Sequence, residues 1–353
     1  MITVLSAIFV LGALIFFHEL GHFLMAKWAG IQVDRFSLGF PPSILSKRFG
    51  ETEYCIGLIP LGGYVKMAGE NPDETATGAP HEFMSKPIRI RTMVILAGPV
   101  MNLLLAWLIL WGWFLVNGQV VIDPRRAIIG SVVSGSPAEA AGLQAGDVVT
   151  SIDNIAIGPY SDLSRVVSKA VGKPIPLVWE RNGQTMSATV TTKVEDSYTD
   201  RGEKIKIGVL GVYSKVEHQP VGFFEGAGLG MVETLGIVKK IGVFLWELIT
   251  LRVSAKMIGG PVFITQAVGQ MAQIGFSALL YFMAFLSVNL GIVNIIPIPV
   301  LDGGHLLFLA IEKIKGSPLT INQRMIAQQV GMVFLLLVIV MVTYNDIVRF
   351  ISG

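Results

Sequence analysis

Two histidines and a glutamate lie close together in the first apolar segment of this 353-residue chain. In the run His18-Glu19-Leu20-Gly21-His22, a helix would place His18 and His22 one turn apart on the same face. Two imidazoles at that spacing can bind one Zn²⁺, and Glu19 beside them can take a proton from an attacking water. Ionisable groups are costly in a helix that crosses a membrane, so we interpret these three as functional rather than as a buried polar cluster.

A catalytic zinc site needs a third protein ligand, and the best candidates follow a late apolar segment. The run from Asn294 to His305 contains Pro297 and Pro299, which break the helix, and then Asp302 on a glycine-rich turn. His305 is the competing third ligand. We favour Asp302, because a carboxylate completes a two-histidine, one-carboxylate site of a known type.

Long apolar segments must position these residues. The chain has 52% apolar and only 15% charged residues, which excludes disorder and makes an ordinary cytosolic globule a poor fit. A membrane span needs roughly 20 helical residues. The sequence predicts a polytopic α-helical membrane protein with about four transmembrane helices, at 1–26, 92–116, 275–296 and 326–344. The net charge of +2 gives no sign of a nucleic-acid partner, and the single Cys55 excludes an intrachain disulfide.

The distribution of Lys and Arg predicts the orientation of these spans. Basic residues follow the first span, precede the second and lie between the third and fourth. We therefore expect the loops 27–91 and 297–325 in the cytosol and both termini outside. At about 1.5 Å per residue, His18 then lies near the cytosolic side of the membrane. The third span ends at the same side, so Asp302 is expected at the same depth.

Two further segments have their own organisation. Segment 221–257 is apolar but interrupted by charged residues, so we favour an amphipathic helix lying in the membrane interface over a fifth span. Segment 127–212 has the length and alternation of a small α+β domain, with a hairpin signal at Asn182-Gly183. Its run Ser136-Pro137-Ala138, followed by Gly142-Leu143, resembles a PDZ domain of the permuted kind found in bacterial proteases. Such a domain binds C-termini or extended peptide segments by strand addition; the alternative is a steric spacer.

Taken together, these motifs resemble the site-2 protease family of intramembrane zinc metalloproteases, of the bacterial RseP type with a single PDZ domain. The matching residues are the run from His18 to His22 and the pattern Asn294-x-x-Pro297-x-Pro299-x-Leu301-Asp302-Gly303. Supporting matches are Gly98-Pro99-Val100-Met101-Asn102 in the second span and Pro60–Met67 in the first cytosolic loop. The resemblance extends along essentially the whole chain in the same order.

The resemblance implies a role for each of these positions. One Zn²⁺ per chain would be held by His18, His22 and Asp302, with Glu19 as the general base. Asn294 would hold substrate or the developing oxyanion. The segment 53–67 would be a membrane-re-entrant β-hairpin that pairs with an unwound substrate strand. The substrate-binding residues implied in this way are Gly62, Gly63, Tyr64, Asn294, Pro297 and Pro299.

The expected function is hydrolysis of peptide bonds within transmembrane segments of single-span proteins, such as an anti-sigma factor or a remnant signal peptide. The expected location is a bacterial inner membrane, with the PDZ-like domain outside the cytosol. One alternative is a non-catalytic membrane scaffold whose PDZ-like domain recruits peptides. The other is a metal transporter, because intramembrane His and Asp residues can mark an ion path.

Overall fold

A computed structural model describes residues 2–70, 77–198 and 204–352. Parts of the predicted cytosolic loop 27–91 and of the predicted domain 127–212 therefore lie outside the described residues. The chain divides into two compact units. The first comprises residues 1–114, 223–246 and 258–353, and the second comprises residues 115–222 and 247–257. Each unit is described by itself below.

The helices are numbered along the chain. The α-helices are α1 (Ile2–Trp28), α2 (Ile88–Asn117), α3 (Pro137–Ala140), α4 (Tyr160–Lys169), α5 (Phe223–Ile249), α6 (Pro261–Ile274), α7 (Phe276–Ile295), α8 (Asp302–Lys315) and α9 (Ile321–Ser352). Short 3₁₀ helices span Phe83–Ser85 and Ala255–Met257. Within the described residues, four helices are long and apolar enough to cross a membrane, namely α1, α2, α7 and α9.

Large apolar side chains cover the outside of these four helices. On α9, for example, Phe334, Leu337 and Val340 are all exposed in the isolated chain. An apolar face of this length is costly in water and is satisfied by lipid. The predicted membrane protein with about four transmembrane helices is confirmed at this level. Helix α5 does not meet the same criteria, and its position in the membrane interface stays a prediction.

Close helix contacts hold the first unit together around α1. Val10 and Leu14 of α1 form one buried cluster with Leu105 of α2, Val268 of α6 and Met283 of α7. Each side chain that leaves contact with solvent or lipid in this way gains dispersion contacts with several neighbours. The cluster fixes α1, which carries the first candidate ligands, against α2, α6 and α7.

Strands β1 (Val33–Phe49) and β2 (Thr52–Met67) form a folded sheet beside α1. Segment 53–59 and segment 63–67 were predicted to pair as a hairpin, and this prediction is wrong. Both segments pair with the same stretch of β1: Phe36 has partners at Tyr54 and at Val65. Residues 43–49 of β1 then pair with the outer side of 52–57. The stretch 63–67 is therefore an edge of the sheet rather than one arm of a hairpin.

The second unit is a small α+β domain. Its strands are β3 (Gln119–Ile122), β4 (Ala127–Val132), β5 (Val148–Ile152), β6 (Ile155–Ala156), β7 (Pro174–Arg181), β8 (Gln184–Thr191), β9 (Lys193–Tyr198), β10 (Lys204–Val209), β11 (Val212–Ser214) and β12 (Val216–Gln219). The main sheet has the order β11-β4-β5-β7-β8, with β6 beside β5. Strands β9 and β10 form a second ribbon, and β3 and β12 form a third.

Local sequence accounts for several features of this domain. Ser136 caps α3 by accepting a hydrogen bond from the Glu139 amide, and Pro137 is the first helical residue. Asn182 and Gly183 both have positive φ and join β7 to β8, which confirms the predicted hairpin. Its core is apolar and centres on Trp179 and Leu163.

The domain also contains an ion pair between the buried Asp147 and the partly buried Arg181. The Arg181 Nε lies 2.7 Å from Asp147 Oδ1. Burial alone would raise the pKa of the Asp147 carboxyl, but the hydrogen bonds from Arg181 and from the Gln144 amide lower it overall.

Candidate metal centre

Two imidazoles of α1 converge on one point. His18 and His22 are buried, and their Nε2 atoms lie 3.3 Å apart. Residues four positions apart on an α-helix share a face, so the spacing in sequence produces this arrangement directly. His22 uses its other ring nitrogen, Nδ1, to donate to the carbonyl of Val94 on α2 at 2.9 Å. That bond fixes the ring so that Nε2 faces His18.

Asp302 brings a carboxylate to the same point from the other end of the chain. Its Oδ2 lies 3.2 Å from His18 Nε2, and its Oδ1 lies 3.4 Å from His22 Nε2. Asp302 was predicted on a glycine-rich turn, but it is the first residue of helix α8. The glycines after it allow the start of α8 to pack closely against the preceding backbone. A Cβ on Gly304 would lie 2.6 Å from the Pro299 Cα.

The three groups have the spacing of a tetrahedral metal site. Metal–ligand bonds of about 2.0–2.1 Å place neighbouring ligand atoms of a tetrahedron roughly 3.3 Å apart. The two imidazole nitrogens are 3.3 Å apart, and the Asp302 carboxylate approaches them at 3.2 and 3.4 Å with its two different oxygens. Asp302 Oδ2 is buried and has no hydrogen-bond partner among the described residues. An unpaired buried carboxylate oxygen facing two imidazole nitrogens fits a cation, so the residues present fit Zn²⁺.

Asn102 supports His18 from behind. This fully buried side chain of α2 has an amide atom 3.1 Å from His18 Nδ1. A histidine that binds metal through Nε2 carries its proton on Nδ1, so it needs an acceptor there. The amide oxygen of Asn102 has no hydrogen-bond partner among the described residues, and a half-turn of the amide places it against that proton.

Glycines allow α2 to approach the histidine rings. A Cβ on Gly98 would lie 2.8 Å from His18 Cε1 and closer still to His22 Nε2. A Cβ on Gly21 would lie 2.9 Å from the Met101 Cβ. Any side chain larger than hydrogen at Gly98 would displace the rings. Gly98, part of the supporting motif in the second span, therefore lies directly against both imidazoles.

The remaining predicted site residues divide into two groups. Glu19, Gly63, Tyr64 and Asn294 line the same cavity as the metal-ligand cluster, which has a volume of about 230 Å³. The Asn294 amide nitrogen lies 3.2 Å from His18 Nε2. A Cβ on Gly63 would lie 2.9 Å from Glu19 Cγ, so the sheet edge directly contacts the predicted base.

Gly62, Pro297 and Pro299 do not line this cavity. Gly62 has φ of 121°, which favours glycine. Pro297 and Pro299 lie in the segment between α7 and α8. A Cβ on Gly331 of α9 would collide with the Pro299 carbonyl, so α9 presses on the segment that leads to Asp302.

The sequence prediction gave no role to Glu70 or Val300, which both line this cavity. Glu70 lies just beyond β2, where burial raises the pKa of its carboxyl to about 7, and its Oε2 accepts a hydrogen bond from the Met67 amide at 3.3 Å. Val300 has φ of 107°, which is rare for a β-branched residue, and it lies two residues before Asp302. Neither has a signal in the local sequence. His305, the competing third ligand, also lines the cavity, but it is not part of the cluster of ligand atoms.

Comparison with known proteins now decides the family. The model of peptidase family M50 matches residues 6–338. The chain belongs to peptidase family M50. Membership makes it a zinc metallopeptidase of the site-2 protease type, with intramembrane proteolysis as its activity, and it confirms the resemblance read from the motifs.

Two relatives cover nearly the whole of this M50 peptidase. It is 34% identical to zinc metalloprotease RasP of Geobacillus kaustophilus, over 99% of this chain and 98% of the relative. It is 32% identical to zinc metalloprotease RasP of Oceanobacillus iheyensis, over 99% of each chain. Among solved structures, 27% of the chain is similar to the PDZ domain of an SdrC-like protein of Listeria monocytogenes, with 21% identity and a TM-score of 0.20.

Proposed function

We propose that His18, His22 and Asp302 hold one Zn²⁺ per chain and that Glu19 is the general base of peptide hydrolysis. The convergence of two imidazole nitrogens and one carboxylate, with contacts of 3.2 to 3.4 Å, supports this most directly. Zinc in such a site polarises the scissile carbonyl and lowers the pKa of water. Glu19 lines the same cavity beside both histidines, where it takes a proton from the attacking water and delivers it to the leaving amine.

Asn294 is placed to stabilise negative charge. Its amide nitrogen lies 3.2 Å from His18 Nε2, so it reaches the region where the carbonyl oxygen of a substrate is polarised. A hydrogen bond from a side-chain amide to a developing oxyanion becomes stronger as negative charge grows in the transition state. Pro297 and Pro299 act indirectly in this proposal, because they end α7 and set the path of the backbone to Asp302.

The sheet edge at Gly62, Gly63 and Tyr64 is the proposed binding strand for an unwound substrate. Tyr64 pairs with Ser37 on one side, and no strand of the described residues pairs with its other side. A peptide bond inside a substrate helix is shielded, and the backbone groups freed by unwinding need partners within lipid. Strand addition at this edge supplies such partners beside Glu19. For this pairing to take place within the bilayer, segment 53–67 must enter the membrane from the cytosolic side and return to that side.

The proposed topology has both termini outside the cytosol, in a bacterial inner membrane. The Lys/Arg pattern of the loops supports it. The PDZ-like unit then lies outside the cytosol, where it binds C-termini or extended segments of single-span substrates, such as an anti-sigma factor or a remnant signal peptide.

The test compares purified wild type with Glu19→Gln and with a matched control, Glu247→Gln, on a tagged single-span substrate in detergent. We expect cleavage within the span by wild type and by the control variant. Glu19→Gln and a zinc chelator should each reduce the rate by at least about a hundredfold, because each removes an essential part of the site. Full cleavage by Glu19→Gln would contradict the assignment of the base, and metal-free wild type that still cleaves would contradict the zinc site.

A further inference from the structure

A second cavity adjoins the metal centre. It has a volume of about 350 Å³ and lies between the sheet edge, the beginning of α2, and helices α8 and α9. Tyr64, Glu70 and His305 line both this cavity and the metal-site cavity. These shared residues place the second cavity directly beside the metal centre.

Two arginines, Arg91 and Arg324, line the second cavity. Arg91 and Glu312 are both buried and form a two-point ion pair, with Arg91 Nη1 3.0 Å from Glu312 Oε2 and Arg91 Nη2 2.5 Å from Oε1. Both oxygens of Glu312 are therefore occupied by Arg91. Arg324 lies beside this pair, and both arginines contact the sulfur of Met84. Arg324 forms no ion pair with Glu312, and its positive charge is not neutralised by that carboxylate. Lys66 and Glu70, which also line the cavity, carry one charge of each sign.

Arg324 also has an unused donor. Its one side-chain hydrogen bond among the described residues runs from Nη1 to the Met84 sulfur, which leaves Nη2 without a protein acceptor there. Its Nε is shielded from solvent and also has no partner among these residues. An unsatisfied donor on a charged group is costly, so the position favours an anionic acceptor. Glu70, the carboxylate that lines the cavity with Arg91 and Arg324, is held by the Met67 amide. No described acidic side chain that lines the cavity bonds to Arg324.

We propose that this cavity, through Arg324, binds the carboxylate that peptide hydrolysis creates at the new C-terminus of the cleaved substrate. The inference rests on the proposed zinc site, since hydrolysis there forms this carboxylate next to the cavity. A carboxylate is itself a zinc ligand, so a cationic site beside the metal favours its departure. The planar guanidinium matches a carboxylate better than a point charge does.

The test measures binding of a six-residue apolar peptide with a free C-terminal carboxylate and of the same peptide as a C-terminal amide. The full-length zinc-loaded protein in neutral detergent is used as wild type, as Arg324→Gln and as Lys313→Gln. Lys313 is an exposed cation on α8 that does not line the cavity. Zinc contributes equally to the acid-to-amide ratio of dissociation constants in all three proteins, so the change in that ratio between wild type and Arg324→Gln isolates Arg324.

We expect the acid to bind about tenfold more tightly than the amide in wild type and in Lys313→Gln, as one charge-assisted hydrogen bond predicts. In Arg324→Gln the preference should be at least about threefold smaller than in wild type, with the part that zinc contributes remaining. Amide binding should be unchanged, which shows that the cavity is intact. Equal binding of acid and amide to wild type, or a full preference in Arg324→Gln, would overturn the proposal. So would loss of the preference on adding an anionic phospholipid to the micelles, because a lipid phosphate would then be the occupant. Cleavage of a substrate is measured separately, so a failure of the protease assignment would be recognised on its own.

Discussion

At the scale of single residues, the second contact of each histidine determines which ring nitrogen faces the metal. His22 donates to the Val94 carbonyl, whereas His18 depends on Asn102. A backbone carbonyl cannot be removed by substitution, but Asn102 can. The two ligands are thus supported by different means, and Asn102 gives experimental access to the orientation of His18 without altering a metal ligand.

Replacing Asn102 should therefore weaken zinc binding. Asn102→Ala removes the acceptor for His18 Nδ1–H, and we expect the zinc affinity to fall about 10–100-fold, as the loss of such an outer contact does in other sites. Asn102→Asp keeps an acceptor of nearly the same shape and should retain most of the affinity. Competition with a chromophoric chelator measures both. An unchanged affinity in Asn102→Ala would show that His18 is oriented by other contacts.

At the same scale, the sequence predicts part of the centre and not the rest. His18, Glu19 and His22 follow from helical spacing, and Asp302 follows from its expected depth in the membrane. Asn102 was noted as part of a match in the second span, but its contact with His18 joins two helices and has no periodic signal. Glu70 was missed for the same reason: an acid after a strand is normally solvated, and only the fold brings it to the wall of the metal-site cavity.

At the scale of elements, close helix approach determines whether the ligands converge. Helix α2 reaches the imidazoles only because Gly98 has no side chain. The sheet shows where local patterns fail. Segment 53–67 was expected to form a hairpin, but residues 33–40 insert between its two strands. Strand register depends on packing with distant segments, and the glycine at 63 serves the contact with Glu19 instead.

Gly98→Ala should therefore disrupt the metal centre, while an equivalent change elsewhere on α2 should not. The added methyl group would overlap both histidine rings, and we expect kcat/KM to fall at least about a hundredfold, because small displacements of reacting groups are costly. Gly112→Ala on the same helix meets nothing within 4 Å and should have nearly wild-type activity. Zinc content and kcat/KM are measured for both. Similar activity of the two variants would contradict the packing argument.

If the sheet edge binds an unwound substrate strand, the substrate helix must open before cleavage. We expect this unwinding to limit the rate. Each glycine placed near the scissile bond of a leucine-rich span lowers helix stability by about 1 kcal/mol, which corresponds to about a fivefold faster cleavage. The same glycine in the distal half of the span is the control and should have little effect. Initial rates on matched substrates measure this. Equal rates for proximal and distal glycines would mean that the helix is not unwound before the step that limits turnover.

At the scale of the whole molecule, the chain combines a membrane unit with an inserted domain. The apolar spans are readable from composition, because lipid requires long uninterrupted runs. The insert is readable from turn signals such as Asn182-Gly183. What the sequence did not predict is how the insert is joined: β3 and β12 pair, with Ile122 opposite Val216. The chain thus enters and leaves the domain through adjacent antiparallel strands.

This pairing allows the domain to be removed cleanly, which tests the hypothesis that it acts as a size filter outside the membrane. Replacing residues 123–215 by Asn-Gly connects Ile122 to Val216 through a two-residue turn that suits an antiparallel pair. If the domain excludes substrates until their outer part has been trimmed, the shortened protein should cleave untrimmed substrates at least about tenfold faster than the full chain does, because removing a barrier of about 1.4 kcal/mol is sufficient. Trimmed substrates are the control, and both proteins should cleave them at similar rates. Untrimmed substrates that stay as resistant as before, in a shortened protein that still cleaves trimmed ones, would assign the exclusion to the membrane unit and leave peptide binding as the role of the domain.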